Sequence, residues 1–155
     1  MMQGPKRTTR MSALTMPNSQ DGATIQTADG SDDLASARRV LNTEADALAA
    51  LAKSLGSAFS AALDIMAATK GRVIISGMGK SGHIGGKIAA TLASTGTPAF
   101  FVHPAEASHG DLGMITKVDS IFALSNSGET TELADLVAFA ARFRIPLIGV
   151  TSVAD

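Results

Sequence analysis

From residue 71 onward the chain repeats one rhythm: a short apolar run, a turn rich in glycine or hydroxyls, then a stretch with helical spacing. The runs are residues 72–76 (RVIIS), 99–102 (AFFV), 120–124 (SIFAL) and 146–150 (PLIGV). Each is largely apolar without polar alternation, the signature of strands buried on both faces. Residues 84–93 keep helical spacing between the first two runs, and residues 131–143 do so between the last two, with Leu133, Leu136, Val137 and Ala140 expected inward. Such an alternation predicts an α/β fold with an open parallel sheet and flanking helices. The fourth run falls close to Asp155. An uncovered apolar edge strand is unfavourable, so a further covering segment is expected beyond it.

Upstream, Leu34, Leu41, Leu48 and Leu55 recur at heptad spacing, with Val40, Ala45 and Leu51 between them. This predicts one amphipathic helix, begun by Ser31, Asp32 and Asp33 and stopped by Gly56. A second helix is expected from Ser57, with Phe59, Leu63 and Met66 on one face. An N-terminal helix pair therefore precedes the sheet. Residues 1–30 are polar and lack hydrophobic period, and are read as a disordered tail. Met2, Met11 and Met16 leave the start codon open. The expected organisation is a tail over 1–30 and one domain over 31–155.

Composition narrows the function classes. A net charge of −1 offers no electrostatic footprint for nucleic acid or an anionic membrane. With six Phe and no Trp or Tyr, stacking platforms for bases are lacking. No cysteine is present, which excludes thiolate catalysis and cysteine-ligated zinc and fits a reducing compartment. Lys6, Arg7 and Arg10 are followed by polar residues rather than an apolar secretion segment, and no run approaches the ~18 residues of a membrane span. A cytoplasmic protein with no membrane and no nucleic-acid partner is expected.

In an open α/β sheet, ligands sit beyond the carboxyl ends of the strands. Two turns there carry chemistry. Residues 77–82 (GMGKSG) satisfy G-x-G-x-x-G, but a dinucleotide site also needs an acid ending the second strand, where Val102-His103-Pro104 stands. A Walker A loop would need glycine where Ile74 stands. What remains is the physics shared by both motifs: glycines at a helix start let an anion approach backbone N–H groups. Here Gly79 and Ser81 are candidate phosphate contacts and Lys80 adds a cation. The other turn, residues 125–130 (SNSGET), gathers Ser125, Asn126, Ser127 and Thr130 before another helix. One hydroxyl, from Ser127 or Thr130, suffices to cap that helix. The surplus of neutral donors suits a phosphate dianion. His103, Glu106, His109 and Asp111 follow the second strand closely enough to invite a metal reading. With Pro104 and Gly110 interleaved, their spacing defines no ligand set, and neither metal nor cofactor is assigned.

These residues carry a resemblance. The 125–130 turn resembles the phosphosugar signature of SIS (sugar isomerase) domains. Residues 77–85 (GMGKSGHIG), 95–102 (TGTPAFFV) and 103–114 (HPAEASHGDLGM) are similar to arabinose 5-phosphate isomerases in particular. The resemblance covers residues 35–155 and implies a flavodoxin-like three-layer αβα fold. It also implies an aldose–ketose isomerase that interconverts D-ribulose 5-phosphate and D-arabinose 5-phosphate for octulosonate and lipopolysaccharide synthesis. Such chemistry moves a proton between neighbouring carbons through an enediol, so it requires a base and a stabilised oxyanion. On the family pattern Glu132 is the acid/base, Lys80 neutralises the phosphate or enediolate, and His109 is a further catalytic candidate; Glu129, nearer the serines, ranks second as the base. His83 is read as packing or capping. Relatives continue past residue 155 with another strand, further active-site residues and often paired CBS modules, and assemble as homo-oligomers, commonly tetramers. The alternative is a non-catalytic sugar-phosphate sensor. In such regulators a helix-turn-helix precedes the SIS part, whereas the helix pair here has few basic residues.

Overall fold

A computed structural model describes residues 30–153. The expected tail over residues 1–30 lies outside them but for Gly30. The described chain divides after Ala49 into two compact units.

The first unit is most of α1 (Gly30–Ser54), whose first turn carries Asp32 and Asp33 and whose last carries Lys53, both matched to the helix dipole. Its apolar stripe stands in solvent: Leu34, Val40, Leu41 and Leu48 are each more than half exposed.

The second unit takes in the end of α1, then α2 (Ser57–Ala68), and follows the strand–helix rhythm: β1 (Val73–Gly77), α3 (Gly79–Ser94), β2 (Ala99–Phe101), α4 (Pro104–Ser108), β3 (Ser120–Leu124), α5 (Ala134–Phe143) and β4 (Leu147–Val150). All four strands are parallel, in the order β2-β1-β3-β4. Alternation along β1 divides the core between two faces. Val73 and Ile75 pack with Ala89 of α3, alongside Met66, Leu92 and Phe101. Ile74 packs on the other face with Ile121, Leu136, Ala140 and Ile145. Every β1 residue is buried, as its unbroken apolar run requires.

The structure departs from sequence expectation at four points. Helix α3 begins at Gly79, so Lys80 and Ser81 lie in its first turn rather than in a preceding loop. Met78 is extended, Gly79 takes φ 52°, and the Gly82 N–H donates to Met78 O at 3.2 Å, which compresses the turn into two residues. The stretch after β2 is folded rather than a loop: α4, with Pro104 at its first position, is followed by a 3₁₀ turn at Asp111–Met114. The last helix opens as a 3₁₀ turn, Thr131–Leu133, closed by Leu133 N–H donating to Thr130 O at 3.0 Å. Val137, expected inward, is 43% exposed, because α5 buries only Leu136 and Ala140 against the sheet.

At the amino end of the sheet, Asp119 is buried and accepts from the Arg72 N–H (2.7 Å), the Thr116 N–H (2.7 Å) and the Thr116 hydroxyl (2.8 Å). Burial pushes its carboxyl up, yet these hydrogen bonds prevail and hold it below the ordinary carboxylate range. The network joins the start of β1 to that of β3, far along the strands from the chemistry-bearing turns.

Candidate functional site

The strand order reverses between β1 and β3. The chain leaves β1 for β2 on one side, and the following strand returns to β1's other side. Ligands of open α/β sheets bind at this switch point, outside the carboxyl ends of the two strands. Here the register pairs the last residues, Gly77 with Leu124. The GMGKSG turn and the SNSGET turn therefore leave the sheet from neighbouring positions.

The second turn is held in shape by its own hydroxyls. Ser125 Oγ accepts from the Gly128 N–H at 3.0 Å and lies 2.6 Å from Thr130 Oγ1. Ser127 Oγ accepts from the Glu129 N–H at 3.2 Å. Gly128 takes φ 77°, a left-handed conformation that favours glycine. Neither Ser127 nor Thr130 caps the helix that follows, contrary to the capping expectation, since the 3₁₀ start carries no side-chain cap. The hydroxyls are spent on the turn, and protons are left over. Of the Ser125–Thr130 pair only one hydrogen lies between the oxygens, and the Ser127 oxygen acts as acceptor. The backbone N–H groups of Asn126 and Ser127 meet no acceptor among the described residues. A second layer anchors the turn: Ser125 N–H donates to Val150 O at 3.0 Å, and Asn126 O accepts from Ser152 N–H at 3.2 Å and from the Thr151 hydroxyl at 3.3 Å. Sequence reasoning missed Thr151 and Ser152, whose signal was a pair of hydroxyls directly after a strand.

Ser125, Ser127, Glu129 and Thr130 line a groove of about 800 Å³ that continues between Val137 of α5 and Val150 of β4. A smaller cavity of about 370 Å³ lies at the start of α3, lined by Gly79, Gly82, His83, Gly86, Phe101 and His103. Two glycines of α3, Gly82 and Gly85, serve packing. A Cβ on Gly82 would sit 2.6 Å from Gly77 O, and one on Gly85 would press on Ile75, Leu124 and Phe101 at 3.2 Å. They let α3 lie close on β1.

The expected catalytic residues are exposed and line neither cavity. Lys80 is in the first turn of α3. Glu132 is in the 3₁₀ turn, where its Oε2 accepts from the Thr131 hydroxyl at 3.1 Å. His109 ends α4, its N–H donating to Ala105 O and Glu106 O. Of the phosphate candidates, Gly79 lines the smaller cavity, Ser125, Ser127 and Thr130 line the groove, and Ser81 and Asn126 line neither. His83, expected to pack or cap, is exposed and lines the smaller cavity instead. Among the described residues no three His, Asp or Glu side chains form a group able to hold a metal ion.

The fold is an open parallel α/β sheet with a glycine turn and a hydroxyl turn side by side at its switch point. The chain belongs to the SIS domain family, whose model matches residues 65–155. It is 57% identical over 120 residues to the arabinose 5-phosphate isomerase KdsD of Pseudomonas aeruginosa, covering 77% of this chain and 37% of that protein. It is 50% identical over 122 residues to KdsD of Escherichia coli K12, covering 79% of this chain and again 37% of the relative. The chain thus spans little more than a third of the length of these curated relatives. Among solved structures, an Escherichia coli CFT073 protein in complex with arabinose 5-phosphate superposes with a TM-score of 0.77 at 38% identity, over 81% of this chain and 67% of that one.

Proposed function

We propose that this chain is the sugar-phosphate-binding and isomerising part of an arabinose 5-phosphate isomerase. The observation that carries the reading is the pairing of Gly77 with Leu124, which brings the glycine turn and the hydroxyl turn to one edge of the sheet. The KdsD likeness supplies the substrate class.

In the forward sense a base removes the proton from C2 of the open-chain aldose. Its electrons form the enediolate, and protonation at C1 gives the ketose. The SNSGET turn holds the phosphate through its spare hydroxyl protons and N–H groups. Lys80 balances the charge of phosphate or enediolate, Glu132 transfers the proton with Glu129 as second candidate, and His109 assists. Asn126, Gly79 and Ser81 complete the phosphate contacts.

No single helix among the described residues is long and apolar enough to cross a membrane. A cytoplasmic place of work is proposed from the KdsD likeness. The exposed leucine stripe of α1 supports self-association into a homo-oligomer.

The test is interconversion of ribulose 5-phosphate and arabinose 5-phosphate by the intact gene product. Turnover that falls by about 100-fold or more in Glu132→Gln and in Lys80→Ala supports the reading and both roles. Arabinose 5-phosphate raising the melting temperature without turnover would leave a binding module, and no effect of either kind would overturn the phosphate site.

A further inference from the structure

The Asn126 carbonyl is held by three donors at once. The Ser152 N–H donates to it at 3.2 Å, the Thr151 hydroxyl at 3.3 Å and the Ser152 hydroxyl at 2.5 Å. The first of these belongs to the backbone. Together with the Ser125 N–H donating to Val150 O at 3.0 Å, it carries the β3–β4 ladder past the strand ends. The two hydroxyls are surplus to that ladder, and a carbonyl oxygen has two lone pairs for the three donors. Thr151 is itself fixed: its Oγ1 accepts from the Val153 N–H at 3.2 Å and lies 3.3 Å from where a Cβ on Gly128 would stand.

The Asn126–Ser127 peptide is trans, so its N–H points opposite to its carbonyl. Asn126 O faces the residues that follow β4. With the strand order β2-β1-β3-β4, the Ser127 N–H therefore faces away from β4, toward the β1 side. It meets no acceptor there among the described residues, and the glycine turn leaves the sheet from the neighbouring position. Turned over, the same peptide would present a carbonyl oxygen, which repels an anion where an N–H attracts it.

We infer that Thr151 and Ser152 are positioning residues for phosphate recognition. Their hydroxyls hold the Asn126–Ser127 peptide in the orientation that presents the Ser127 N–H to the phosphate of the sugar, and neither residue touches the substrate. This rests on the isomerase reading above, which places the phosphate on the SNSGET turn.

The decisive variant is Thr151→Val combined with Ser152→Ala, which removes both hydroxyls and keeps the ladder N–H. In the intact gene product, KM for arabinose 5-phosphate should rise about tenfold with kcat little changed, because the phosphate contact is the same in ground and transition states. Thr151→Ser, which keeps a hydroxyl, should retain the wild-type KM. A double variant with the wild-type KM would overturn the inference, as would one that loses kcat and melting temperature while KM stays put. An inactive wild type that binds no arabinose 5-phosphate would instead overturn the isomerase reading. Should the double variant not fold, the backbone amide of Ser127 in the nitrogen-15-labelled wild type decides. Saturating arabinose 5-phosphate should move its proton resonance downfield, and an unmoved resonance on a protein that binds the sugar phosphate would sink the assignment.

Discussion

The hydroxyl oxygens of Ser125 and Thr130 lie 2.6 Å apart across a turn whose Gly128 N–H already points at Ser125. The pair closes the turn from inside and holds one spare proton outward. Ser125→Ala breaks the hydroxyl pair and leaves the Gly128 N–H without its acceptor. The expected loss is about tenfold in affinity for arabinose 5-phosphate, near 1.4 kcal/mol, measured by titration calorimetry.

Gly128 itself is held at φ 77° with Thr151 Oγ1 3.3 Å from where a Cβ would stand. Gly128→Ala should cost about 1–2 kcal/mol of stability through backbone strain. It should also weaken phosphosugar binding beyond that, because the strain is relieved by reshaping the turn. Urea unfolding and calorimetry on the same variant separate the two effects.

Gly82→Ala tests the seat of α3. The added methyl would meet the Gly77 backbone oxygen at 2.6 Å, with no flexible side chain to yield. A loss of about 3 kcal/mol is expected, at the upper end of overpacking costs, whereas Gly86→Ala, with nothing within 4 Å of its Cβ position, should be neutral or slightly stabilising. Equal melting temperatures for the two variants would contradict the close packing.

Asp119 sets an acid limit on folding. Its carboxyl is held below the ordinary carboxylate range in the folded protein, so its contribution is fully present above the unfolded-chain pKa and fades as pH falls through the lower, folded one. Acid unfolding should therefore steepen below about pH 4, and Asp119→Asn should flatten it. At neutral pH Asp119→Ala should lose about 2 kcal/mol, since the Arg72 and Thr116 N–H groups lose their acceptor at a part-buried site.

Much of this architecture was legible because buried parallel strands announce themselves as continuous apolar runs. SIFAL coincides with β3, and the other three strands begin one residue late or end within one residue of expectation. The hydroxyl turn and the glycine turn were legible for the same reason, since each follows a recognisable strand. What the spacing did not reveal is which way a missing side chain faces. Gly82 reads as a ligand glycine in a G-x-G-x-x-G pattern, and only the fold shows it pressed on Gly77. Val137 fits the helical period as well as Leu136 does, but a helix lying on a sheet buries a narrow stripe, and Val137 falls on the groove side. The Asp119 network was invisible because Arg72 is distant in sequence and meets it only through the β1–β3 pairing. Lys80, Glu132 and His109 were singled out by family pattern, and the described residues alone do not gather their side chains around one cavity.

The clearance between α3 and β1 is as narrow as an absent methyl group allows. The helix therefore rides on the strand at a height set by two missing carbons, and its first turn can neither sink nor lift without disturbing the interior. The elevation of the carboxyl edge is in this way set from below: raising or lowering the start of α3 means moving a close-packed helix, so the two turns stand on a platform already levelled.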